Sequence, residues 1–159
     1  MTVHVVVATK HGSTREVAQA IADELGAELR DASEVNGFEG ADAVILGSAI
    51  YGGRWLEPAR RLVDERAEEL VRLPTWLFSV GPIGDPPEPE DAGPDMIDQV
   101  VTSTHAHGHE VFAGKLDYAA LGRLERMMVK ALRAPEGDYR DWDAIRNWAR
   151  SIASELDAS

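Results

Sequence analysis

Val3-His4-Val5-Val6-Val7-Ala8, then Thr9-Lys10-His11-Gly12-Ser13-Thr14, then Arg15 to Leu25 form the stretch on which the fold turns. The first six residues are a short run rich in valine. That pattern predicts a strand buried on both faces, as in a parallel sheet. From Arg15 onward Val17, Ala18, Ile21, Ala22 and Leu25 recur at helical spacing, and Gly26 stands where a helix C-cap needs it. The six residues between therefore join a buried strand to a helix N-terminus. Such a turn points backbone N–H groups and the positive end of the helix dipole at a single anion. Thr9, Ser13 and Thr14 can add hydroxyl donors. Gly12 is the only glycine in the turn and no Lys-Ser/Thr pair follows, so neither a triphosphate loop nor the dinucleotide fingerprint is present. Thr9, Lys10, His11, Gly12, Ser13 and Thr14 are the candidate phosphate loop, and a monophosphate ester fits them best. The alternative is an ordinary turn in which Ser13 or Thr14 caps the helix.

Working outward, Glu28–Asp31 is a short edge strand and Ala43–Ser48 a second buried one. Leu56 to Leu70 is a helix, Thr75–Val80 a third buried strand and Asp95–Thr104 a weak helix. Glu110–Leu116 is the last strand, followed by helices over Tyr118–Leu132 and from Trp142 to Leu156, the last capped by Asp141. Strands alternating with helices predict parallel pairing with helical crossovers, a doubly wound α/β sheet, over one domain of residues 1–159. Such sheets bind ligands at the carboxyl ends of their strands, where the strand order reverses.

Two further loops leave the clearest strands there. Ser48, Ala49, Ile50, Tyr51, Gly52 and Gly53 lead into Arg54 and Trp55; adjacent glycines let backbone approach a flat ligand, and Tyr51 or Trp55 can stack on an aromatic ring. Val80, Gly81, Pro82, Ile83 and Asp85 begin the third loop, which can hold a ring edge by backbone groups. Its eleven residues from Gly81 to Asp91 hold four prolines and four acids, so it is surface. No acid, base or nucleophile stands out. His105, His107 and His109 alternate and would share a strand face, but no carboxylate or cysteine completes a metal site. Met127 and Met128 read as core.

The phosphate loop resembles the flavodoxin signature S/T-x-T-G-x-T at Thr9, Gly12 and Thr14, with His11 where that family has Thr. Similarity extends to the flavodoxin-fold menaquinone-dependent protoporphyrinogen oxidases. It is carried in order by TKHGSTREVAQAIADEL at Thr9–Leu25, GSAIYGG at Gly47–Gly53, FSV at Phe78–Val80, VFAGKL at Val111–Leu116, and Asp141-Trp142. The resemblance implies a flavodoxin-like three-layer sandwich, a five-stranded parallel sheet in the order 2-1-3-4-5, FMN, and electron transfer. The second and third loops would then flank the isoalloxazine, and Asp85 near the ring would lower the potential of the anionic reduced form. The chain departs from the oxidases after the fourth strand, where it is short, Pro-rich and acidic instead of carrying a long insertion. A fold that has lost FMN and serves as a binding or regulatory module is the competing reading, and a deazaflavin in the same site is a third.

The formal net charge is −12 and there is no cysteine. The charge argues against nucleic acid and anionic membrane surfaces, and suits a basic redox partner protein. A quinone or porphyrinogen-type small molecule is the other expected partner. Disulfides, thiol catalysis and Cys-ligated metals are excluded. No apolar run is long enough to span a bilayer. The chain opens on a strand with no secretory leader, so a cytoplasmic protein is expected.

Overall fold

The computed structural model describes residues 1–9, 12–51, 54–81, 94–116, 137–138 and 140–158. Its elements are β1 (Val3–Ala8), α1 (Ser13–Leu25), β2 (Glu28–Asp31), β3 (Ala43–Tyr51), β4 (Arg54–Trp55), α2 (Glu57–Arg72), β5 (Thr75–Val80), α3 (Pro94–Thr104), β6 (Gly108–Phe112), β7 (Lys115–Leu116), β8 (Gly137–Asp138) and α4 (Trp142–Ala158). The main sheet runs β2-β1-β3-β5-β6 with every one of those pairs parallel, and β4 folds back antiparallel on β3. Without the hairpin strand β4, the order is the expected 2-1-3-4-5 of a flavodoxin-like sandwich.

β1 and β5 are buried at every position because helices cover both sides of the sheet. On one face Val3, Val5, Val7 and Phe78 pack with Val17 and Ile21 of α1 and with Ile145 and Ile152 of α4. On the other, Val6, Ala8, Leu46 and Leu77 pack with Leu62 and Leu70 of α2 and with Ile97 and Val100 of α3. Gly26 caps α1 with φ 60°, as its place after Leu25 requires. The Asp141 carboxylate accepts from Ala144 N at 3.1 Å and caps α4.

Several boundaries differ from expectation, α2, α3 and α4 by one or two residues at an end and three other elements as follows. β3 continues to Tyr51 and turns through two residues into β4, with Tyr51 opposite Arg54 and Ile50 opposite Trp55. The last sheet strand begins at Gly108 and stops at Phe112; Lys115–Leu116 leave it to pair with Gly137–Asp138. The helix α1 starts at Ser13, two residues earlier than its apolar spacing indicates. The expected helix over 118–132, with Met127 and Met128, lies outside the described residues.

Candidate functional site

Parallel pairing brings the carboxyl ends of β1, β3, β5 and β6 to one edge of the sheet. β1 has β2 on one side and β3 on the other, so the chain reverses direction across the sheet between them. The register aligns Ala8 with Ser48, Ser48 with Ser79, and Ser79 with Val111. All three candidate loops therefore emerge side by side at the switch point.

The first loop ends in a helix start with no side-chain cap. Gly12 is the N-cap, at φ 85°, and among the described residues neither Ser13 nor Thr14 bonds back to the turn. Gly12 N donates to Thr9 Oγ1 at 3.1 Å, which closes the loop and leaves the Thr9 hydroxyl hydrogen to point elsewhere. Glu16 N finds Gly12 O at 3.2 Å, so the N–H groups of Ser13, Thr14 and Arg15 precede the first intrahelical bond. A Cβ built on Gly12 would meet nothing within 4 Å, so it is the positive φ and not crowding that favours glycine there. Thr14 is 2% exposed, and its hydroxyl has no partner among the described residues. Free donors, the dipole and a positive-φ glycine fit a phosphate. Lys10 and His11 lie outside the described residues.

The second loop is the β3–β4 hairpin, a two-residue connection for which adjacent glycines are suited. The fully buried Ser48 hydroxyl accepts from Leu56 N at 2.9 Å and donates to Ala49 O at 2.8 Å, so it ties the hairpin to the start of α2. Ala49 is buried and Ile50 half-buried. Gly52 and Gly53 lie outside the described residues. Trp55 is not available to stack on a ligand: it is 1% exposed, in the core, with Nε1 donating to Ser79 Oγ at 2.8 Å.

In the third loop Val80 is buried. Gly81, at φ 99°, donates its N–H to Phe112 O at 2.8 Å, so β5 is fastened to β6 where the loop leaves. Gly114 packs on it, with a Cβ there reaching only 3.6 Å from Gly81 N. Pro82, Ile83 and Asp85 lie outside the described residues.

The alternating histidines do not converge. His105 ends α3 at φ 52°, the His107 ring leans on Trp76 at 4.8 Å, and His109 Nε2 is 2.8 Å from Ser79 Oγ. No group of metal-ligating side chains occurs among the described residues. Sequence reasoning missed the Trp55–Ser79–His109 chain, which links the hairpin, the base of the third loop and β6. Trp55 Nε1 only donates, so the Ser79 hydroxyl hydrogen is free to serve a neutral His109. Burial pushes the His109 pKa down, against the pull of Asp98 on α3. Ser79→Ala should leave the buried Trp55 N–H without an acceptor and cost about 1–3 kcal/mol. Thermal melting should show it, at roughly 2–4 °C per kcal/mol. Adding Trp55→Phe should restore part of the loss, because both polar partners are then gone; no recovery would mean the bond matters little.

His4 on β1 is the second lowered histidine. It is 2% exposed, its Nδ1 has no partner among the described residues, and Nε2 lies 3.5 Å from Glu28. Burial lowers its pKa, Arg30 lowers it further, and Glu28 opposes them. Both folded pKa values sit below the ordinary 6.5, so below pH 6.5 the unfolded chain binds protons that the folded chain refuses. Stability should be flat above pH 7 and fall as pH drops through 6.5, by up to about 1.4 kcal/mol per pH unit per histidine. Urea unfolding at several pH values between 7.5 and 5.5 measures this. His109→Gln, which keeps a hydrogen-bonding group near the Nε2 position, should flatten the slope; an unchanged slope would take His109 out of the account.

A parallel sheet in the order β2-β1-β3-β5-β6, covered by helices on both faces, defines an α/β protein of the flavodoxin-like fold. The chain belongs to the flavodoxin-domain family, whose model matches residues 4–143. Among solved structures, a flavodoxin from the domain Archaea is similar at 14% identity and TM-score 0.65, with 99% of each chain covered. Flavodoxin 2 of Bacillus cereus shares 18% identity at TM-score 0.65, over 98% of this chain and 99% of that one. The rubredoxin oxygen:oxidoreductase of the anaerobe Desulfovibrio gigas matches 99% of this chain with 36% of its own, at 14% identity and TM-score 0.63. At these identities the likeness is one of fold. No curated protein sequence matches the chain.

Proposed function

We propose that this protein binds FMN non-covalently and acts as a redox protein. The observation that carries the reading is the uncapped start of α1 behind Gly12, set at the switch point. Thr9, Gly12, Ser13 and Thr14, with Lys10 and His11, would hold the phosphate. Ser48 to Gly53 and Val80 to Asp85 would lie along the ring system. FMN, when bound, supplies one- and two-electron chemistry. The chain's part is to bind the phosphate by oriented N–H groups, keep the ring between two backbone loops, and set its surroundings. Gly81, locked to Phe112, fixes where the third loop begins. Trp55, locked to Ser79, fixes where the hairpin returns. These two anchors set the points from which both loops leave the sheet.

Full-length similarity to small flavodoxins favours an electron carrier. The ordered resemblance from Thr9 to Trp142 favours a second version, an oxidase of the protoporphyrinogen type with a quinone acceptor. Reduction by a reductase protein alone supports the carrier; turnover of protoporphyrinogen with a quinone supports the oxidase. The first test is simpler. The purified protein should be yellow or should quench FMN fluorescence on titration, and mass spectrometry of the released ligand should give FMN. A colourless protein that FMN does not titrate would overturn the reading in favour of a module without cofactor. A deazaflavin mass would keep the site and change the chemistry.

A further inference from the structure

Arg140 stands just before α4, and its side chain is 4% exposed. It reaches across to the first turn of α1. There Nη1 donates to the Ser13 carbonyl at 3.2 Å and to the Glu16 carboxylate at 2.8 Å. The guanidinium carbon lies 4.6 Å from the centre of the Trp142 ring, which fixes the head group further. A cation beside the N-terminal end of a helix works against the helix dipole. Here it adds to the positive potential of the free N–H groups of Ser13, Thr14 and Arg15. Glu16 has the opposite character. Its carboxylate, 61% exposed, suits the dipole but would repel an anion held at that helix start.

We propose that Arg140 is a positioning residue for the phosphate end of the site: it holds the Glu16 carboxylate, offsets its charge, and makes the site prefer a phosphorylated flavin to an unphosphorylated one. This rests on the FMN reading above. The bland alternative is that Arg140 only pins the segment before α4 to α1, as a buried ion pair can.

Affinities for FMN and for riboflavin, measured by fluorescence titration at low salt, separate the two. Riboflavin lacks only the phosphate, so the ratio of the affinities reads charge at that end and cancels a general loosening of the fold. Arg140→Met should weaken FMN about fivefold more than riboflavin, the size expected for one unit charge several ångströms from a dianion in a wet setting. Adding Glu16→Gln to Arg140→Met should restore most of that ratio. Glu16→Gln alone, whose amide oxygen can still accept from Arg140, should tighten FMN about threefold with riboflavin unchanged, and it keeps the proposal testable if the Arg140 variant does not fold. Equal losses for both flavins in Arg140→Met, or a Glu16→Gln variant with an unchanged ratio, would overturn the proposal and leave Arg140 a structural pin. Wild-type protein that binds no FMN would bring down the functional reading itself, a distinguishable result.

Discussion

Gly47→Val should keep the protein from folding stably, and even Gly47→Ala should lower its melting temperature by roughly 6–12 °C. Gly47 lies in the middle of β3, paired with Val7 on one side and Phe78 on the other. A Cβ there would overlap the Phe78 ring itself. The conflict is one of space, since Gly47 is not among the residues with positive φ. Neither party can yield cheaply. The β3 backbone is held by ladders on both edges, and the fully buried Phe78 ring is backed by Trp148 at 6.1 Å. Overpacking a core costs about 1–3 kcal/mol when neighbours can shift, and more when they cannot. Set against a total stability of about 5–15 kcal/mol, about 3 kcal/mol for Ala is severe and the bulk of Val is prohibitive. Thermal unfolding followed by circular dichroism measures it. Phe78→Leu should recover part of the Gly47→Ala loss by vacating the ring's place, although alone it destabilises by leaving a cavity. A Gly47→Ala protein melting within a degree or two of wild type would mean that the sheet gives way locally and that the close approach is not what fixes glycine there.

That contact also marks the limit of what could be read beforehand. The valine runs of β1 and the apolar β5 identified themselves, because strands covered on both sides need unbroken apolar sequence. Gly26 identified the end of α1 by backbone conformation, a local property. Partners distant in sequence left no such mark. Trp55 looked as much like a ligand-stacking residue as a core residue until its N–H was seen on Ser79, 24 residues away. The Gly52-Gly53 pair did carry a signal that went unused. Two glycines between Ile50-Tyr51 and Arg54-Trp55 match the two-residue hairpin as well as a ligand loop. β6 stops at Phe112 and Lys115–Leu116 pair instead with Gly137–Asp138, a long-range pairing that no period encodes. Arg140 was one charged residue ahead of a helix; its meaning comes from Glu16, 124 residues earlier in the chain. The turn from β1 into α1, to which the phosphate is assigned only as a proposal, was legible because it is local: a strand, a glycine, hydroxyls and a helix start.

Ser13→Asp should move two observables in opposite directions. Ser13 is the first residue of α1, directly after the uncapped Gly12. A carboxylate there meets unpaired N–H groups and the positive end of the dipole, which stabilises a helix by about 0.3–1 kcal/mol. Arg140, already bonded to the Ser13 carbonyl, adds a nearby cation. The protein without flavin should therefore melt slightly higher than wild type. The same carboxylate takes the place assigned to the phosphate. A unit charge a few ångströms from a phosphate dianion should weaken FMN about a hundredfold, even with water present. Riboflavin, with no phosphate, should lose far less. Ser13→Ala serves as the neutral control and should weaken FMN only by one hydroxyl contact. An ordinary capped turn would give the rise in melting temperature without the loss of FMN. So the pair of measurements, melting without flavin and titration with each flavin, tests the location of the phosphate independently of fold stability. Unchanged FMN affinity in a stabilised Ser13→Asp protein would move the phosphate away from α1, and the functional reading built on that helix start would fall with it.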